Sequence, residues 1–171
     1  MKRENILIVA IICIAFAGVM IYNKSKSEKQ ADAIQDKGPA QISGTSNIDW
    51  QGYDQGMELA KTENKPIFLY FHADWCTYCK KLTKTTFRNK AVLNYLKDNF
   101  ISITVNTDKK QELATQWSIR GLPTLWFLKS DNSKISSIPG FIDAKQFLHI
   151  LKYIHTASYD KMSFQEFVKT I

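Results

Sequence analysis

Two cysteines with two residues between them, Cys76 and Cys79, stand in Trp75-Cys76-Thr77-Tyr78-Cys79-Lys80. The apolar run Pro66-Ile67-Phe68-Leu69-Tyr70-Phe71 comes shortly before them, so a strand should end and a helix begin at this point. The first thiol then lies at a helix N-terminus, where unpaired backbone N–H groups and the helix dipole stabilise a thiolate. The second lies one turn deeper, within reach of a disulfide. The chemistry implied is thiol–disulfide exchange. Half of a zinc site is the other use of such a pair. No second Cys pair or His pair at ligand spacing accompanies it, so no metal ligand is assigned, and no cofactor beyond the redox-active pair itself.

The elements that must position this pair follow from the pattern around it. Tyr53 to Glu63 reads as an amphipathic helix ended by Asn64-Lys65-Pro66, and Pro66 to His72 as a strand buried on both faces. Cys76 to about Arg88 and Ala91 to Asp98 read as helices, Phe100 to Val105 as a strand, and Gln111 to Trp117 as a short helix. Thr124 to Leu128 and Lys134 to Ile138 form a hairpin about Asp131-Asn132-Ser133. After Pro139-Gly140, Asp143 caps a helix to about His155, and Ser163 with Glu166 has the capping-box pattern of a last short helix. This order predicts an α/β fold, a mixed sheet covered by helices on both faces.

The chain has 171 residues, 44% apolar, with a net charge of +7. That charge is spread along a Lys-rich chain without a dense basic block, which reads as a solvated surface and not a nucleic-acid interface. Ile6 to Tyr22 runs 17 residues without a charge behind Lys2 and Arg3, so residues 1–22 are expected to be a signal anchor. The alternative is a signal peptide cut after Ala15-Phe16-Ala17. Cys13 in this run reads as an apolar residue facing lipid. Residues 23–48 read as a polar tether, and residues 49–171 as the folded domain, with its core ending near 155. The domain is expected outside the cytoplasm, tethered to a bacterial inner membrane or released into the periplasm.

Two segments, Phe71-His72-Ala73-Asp74-Trp75-Cys76 through Cys79-Lys80 and Arg120-Gly121-Leu122-Pro123-Thr124, resemble the signatures of the thioredoxin superfamily. Together with Asn64-Lys65-Pro66, Thr86-Phe87 and Gly140-Phe141, they are similar to the C-terminal periplasmic domain of DsbD-type thiol:disulfide interchange reductases. The resemblance implies a thioredoxin fold. It makes Cys76 the nucleophile and Cys79 the resolving thiol, and Pro123 a cis-proline facing them. Leu122 would then offer its backbone to an extended substrate. Trp75 would cover the site and meet partners, with plain core packing as the alternative, and Thr77 and Tyr78 would shape the space between the thiols. His72, if cationic, and Asp74 would tune the thiol pKa.

Two departures stand out. The family's buried Asp six residues before the first cysteine is Tyr70 here, and an acid four residues after the second is Thr83. Proton transfer should therefore run through water, His72 or Asp74. Thr77-Tyr78 is neither the Gly-Pro of reducing thioredoxins nor the Pro-His of strong oxidants. The leading expectation is a reductase of protein disulfides. Its partners would be thioredoxin-like proteins or apocytochrome cysteines, with electrons from a membrane donor. A thiol oxidase or isomerase, and a redox-sensitive binding module or metal chaperone, are the alternatives.

Overall fold

A computed structural model of the chain describes residues 47–171. The expected anchor over residues 1–22 and nearly all of the expected tether lie outside the described residues. Among the described residues, no helix is long and apolar enough to cross a membrane.

Alternation along one strand organises the domain. Strand β2 (Ile67–His72) is apolar at almost every position, so it buries both faces. Phe68 and Tyr70 point into one cluster, with Phe87, Phe127, Phe147, Leu151 and the two cysteines. Ile67, Leu69 and Phe71 point into the other, with Ala60, Ile103, Val105 and Trp117. Strand β1 (Trp50–Gln51) pairs parallel with β3 (Ile101–Asn106), and β3 pairs parallel with β2. Strand β4 (Thr124–Leu128) then runs antiparallel to β2, and β5 (Lys134–Pro139) antiparallel to β4. The sheet order is β1-β3-β2-β4-β5, the mixed sheet expected from the sequence.

Helix α1 (Tyr53–Glu63) lies close on β3, because a Cβ at Gly56 would overlap the Ile103 side chain. It stops at Asn64, which adopts the left-handed conformation at φ 50°. Helix α2 (Thr77–Lys84) carries the dithiol. The single helix expected from Cys76 to about Arg88 is instead broken at Thr85 and followed by a 3₁₀ turn, Thr86–Arg88. Threonine chemistry explains the break. Thr83 and Thr85 donate their hydroxyls to the carbonyls of Cys79 and Lys81, at 3.0 and 2.9 Å. Such back-bonding competes with and bends a helix. The buried Thr86 hydroxyl then donates to the Ile142 carbonyl at 2.6 Å, tying the turn to the segment after Gly140. Gly140 itself sits at φ 87°, which only glycine adopts readily.

Helix α3 (Lys90–Asn99) is capped by Asn89, and α4 (Gln111–Gln116) follows β3. Helix α5 (Ala144–His155) is capped by Asp143, whose carboxylate accepts from the Gln146 N–H at 3.0 Å, as expected. The capping box of Ser163 and Glu166 opens α6 (Phe164–Val168). This terminal segment is fixed to α5 by the Tyr153 hydroxyl, which donates to the Met162 carbonyl at 2.6 Å, and by the buried Phe167.

Candidate active site

The residues singled out in the sequence converge because β2 and β4 are antiparallel neighbours. Phe71 pairs with Thr124, so the turn before Thr124 sits beside the end of β2 from which residues 73–76 lead into α2. That turn contains a cis peptide bond between Leu122 and Pro123. Pro123 is buried, and Leu122 is half-buried against the cluster that holds Cys76 and Cys79. The Thr124 hydroxyl closes the turn by donating to the Gly121 carbonyl at 2.8 Å, and the Gly140 N–H donates to the Pro123 carbonyl at 2.7 Å.

Cys76 and Cys79 are joined by a disulfide, with their Cα atoms 5.2 Å apart. Cys76 is the N-cap of α2, and its Sγ accepts from the Cys79 N–H at 3.1 Å. That is the position where free N–H groups and the helix dipole favour a thiolate. Both cysteines are nearly buried, at 4% and 3% exposed, so accessibility does not tell them apart. The helix terminus does. Cys76 stands between the exposed Trp75 and Thr77, and Cys79 one turn inside.

Trp75 and Tyr78 are 68% and 60% exposed, two of the three large apolar side chains so exposed among the described residues. Trp75 is thus not a core residue. Its indole N–H donates to the Asp108 carboxylate at 3.2 Å. The Asp108 N–H donates in turn to the Asn106 side-chain carbonyl at 3.0 Å, and the Asn106 amide donates to Asp74 at 3.1 Å. This chain of bonds braces the loop before the dithiol from the end of β3. Asn106 and Asp108 were not among the candidates. The pairing of His72 with Asn106 across parallel strands brings them there, and an Asn-Thr-Asp run at a strand end is the signal that could have found them.

Beneath the pair, Tyr70 is buried and stacks on Trp50 and His72, with ring centroids 5.6 and 5.1 Å apart. Burial pushes its phenol up to about 12, with the nearby Thr83 side chain opposing the rise. It is a protonated phenol at any physiological pH and cannot take a proton. His72 is held below its ordinary 6.5, first by burial; Asp74 and Asp108 oppose that and Lys109 adds to it. The cationic His72 expected to favour the Cys76 thiolate is therefore not the form present at neutral pH. Asp74 is exposed. A cleft of about 410 Å³ opens beside the pair, lined by Cys79 with His72, Asp74, Lys80, Thr83 and Lys84. Among the described residues, no group of three or more His, Cys, Asp or Glu side chains could hold a metal.

Residues 53–155 match the family model of the thioredoxin-like domain. The thiol:disulfide interchange protein DsbD of Photorhabdus laumondii is 36% identical over 110 residues, 61% of this chain and 19% of that protein. The chain thus spans about a fifth of the length of the curated relatives it matches. A thioredoxin from Thermus thermophilus superposes with a TM-score of 0.58 at 25% identity, over 63% of this chain and 87% of that one. The C-terminal domain of Neisseria meningitidis DsbD in its oxidised form superposes with a TM-score of 0.51 at 27% identity, over 59% and 91%. With its dithiol at a helix N-cap, its cis-proline beside it and the matched residues spanning strands β2 to β5, the chain belongs to the thioredoxin-like family, and its Cys76–Cys79 pair is that of a thiol–disulfide oxidoreductase.

Proposed function

We propose that this protein reduces disulfides of other proteins outside the cytoplasm, tethered to the membrane by its N-terminal segment. The observation that carries the reading is Cys76 Sγ at the N-cap of α2, with Cys79 one turn in and an exposed aromatic rim of Trp75 and Tyr78. The Cys76 thiolate attacks a partner disulfide. One sulfur bonds to Cys76 in a mixed disulfide and the other leaves as a thiolate. The Cys79 thiolate then attacks Cys76, the intramolecular disulfide forms, and the second partner sulfur leaves. The partner gains two electrons and the dithiol loses two. A membrane donor must return them for the cycle to continue.

The reducing direction is supported by charge. A strongly oxidising pair is one whose reduced form is over-stabilised. Here the residues between the cysteines, Thr77 and Tyr78, are uncharged, and His72 is neutral at neutral pH. Neither of these adds a positive charge to the helix terminus that stabilises the Cys76 thiolate. The tether reading rests on the uncharged 17-residue run Ile6 to Tyr22, and the extracytoplasmic one on the DsbD relatives. Thioredoxin-like proteins and apocytochrome cysteines are the proposed partners.

The test is reduction of a protein disulfide such as those of insulin, with dithiothreitol as electron source. Cys76→Ser should abolish turnover. Cys79→Ser should accumulate a mixed disulfide at Cys76, seen as an added mass that dithiothreitol removes. Full turnover by Cys76→Ser would contradict the assignment.

A further inference from the structure

We propose that His72 is the proton acceptor for Cys79 in the step that closes the disulfide, acting across the cleft the two residues share. This rests on the thiol-exchange reading above. Closure needs Cys79 as a thiolate. A free thiol ordinarily titrates near pH ~8.5, and apolar burial raises that further. Cys79 is 3% exposed within the aromatic cluster, so it needs a base.

The groups facing it are few. Tyr70 beneath it is a protonated phenol. The Thr83 hydroxyl is already donating to the Cys79 carbonyl at 3.0 Å. Lys80 and Lys84, facing the cleft from α2, carry ammonium groups, which donate and do not accept. Asp74 is exposed, and its carboxylate already accepts from the Asn106 amide at 3.1 Å. His72 remains. Its ring is held in place by stacking on Tyr70 at 5.1 Å. The charged groups about it, Asp74, Asp108 and Lys109, leave burial as the dominant influence, so the ring is neutral and has a free lone pair to offer. The cleft of about 410 Å³, with His72, Asp74, Lys80 and Thr83 on its walls, has room for a water to bridge the two.

The step balances. The Cys79 thiol gives its proton through water to the His72 imidazole. The Cys79 thiolate then attacks Cys76 Sγ, the mixed disulfide breaks, and the partner thiolate leaves. His72 returns the proton to the leaving thiolate or to solvent.

The test uses the reduced full chain carrying Cys13→Ser, which leaves Cys76 and Cys79 as its two thiols, and 5,5′-dithiobis(2-nitrobenzoate) in a stopped-flow instrument. Attack by Cys76 releases the first thionitrobenzoate, at a rate proportional to reagent. Attack by Cys79 releases the second, at a rate independent of it. Thionitrobenzoate leaves as an anion, so the second release isolates deprotonation of Cys79. In the native chain the second phase should slow as pH falls through an inflection below 6.5, the ordinary value of His. His72→Gln should lose that inflection and slow the second phase by about 100-fold at neutral pH, with the first phase unchanged. Asp74→Asn should keep the inflection but move it lower, because it removes a charge that raises His72. A second phase that His72→Gln leaves unaltered would overturn the proposal. So would a native profile without an inflection below 6.5, a reading independent of how the variant folds. Absence of the first phase in the native chain would instead overturn the exchange reading itself.

Discussion

Removing the Trp75 indole takes away one of the two exposed aromatic side chains at the rim of the dithiol, Tyr78 being the other. The side chain is 68% exposed and holds one hydrogen bond, to Asp108. Trp75→Ala should lower kcat/KM for a protein disulfide by about tenfold, the equivalent of about 1.4 kcal/mol of contact with the partner. The thermal midpoint should stay near the native value, and steady-state kinetics beside a melting curve checks both. His72 makes a second prediction at this scale. Its folded pKa is lowered, so the unfolded chain binds the proton more readily. Stability is therefore full above 6.5 and falls as pH drops below it. Asp131 and Glu166, held low by hydrogen bonds with Ser133 and Ser163, act in a separate window. Their contribution is present above their ordinary values of 3.8 and 4.5 and is lost as pH falls through their lowered ones. Melting curves across pH should show both limbs, and His72→Gln should flatten only the one that begins below 6.5.

At the scale of elements, the site depends on how α2 and its following turn are pinned. The Thr86 hydroxyl is buried and bonded to Ile142. Thr86→Val should cost about 1–3 kcal/mol, because it leaves a buried carbonyl unpaired. Phe68, fully buried among Trp50, Phe87, Phe127 and Phe147, should cost about 3–5 kcal/mol when cut to Ala. Denaturant unfolding measures both. Sequence patterns made β2 legible because a run buried on both faces has no polar interruption to blur it. The caps at Asp143 and Ser163 were legible for a similar reason, since each is a local contact between residues three apart. The break after Lys84 was not legible. It is produced by threonine hydroxyls turning back on the helix and by a bond to Ile142, 56 residues away. Strand β1, with two residues, has no period to detect, yet its Trp50 supports Tyr70.

For the molecule as a whole, the candidate site was legible in its thiols and proline and illegible in its support. Cys76 and Cys79 announce themselves by spacing, and Pro123 through the resemblance of Gly121-Leu122-Pro123-Thr124 to a family signature. The brace through Asn106 and Asp108 exists only because parallel pairing carries the end of β3 to the end of β2. The tether is a statement about the whole chain. The full chain should sediment with membranes after alkaline carbonate washing, and a variant lacking residues 1–22 should not. Recovery of both in the soluble fraction would contradict tethering. The most direct test of the central claim is the reduction potential of Cys76–Cys79 in the full chain, equilibrated against glutathione or dithiothreitol. The value should lie near thioredoxin's, about −270 mV. A value near about −120 mV, where the reduced form is the stabilised one, would contradict it and make the protein an oxidant.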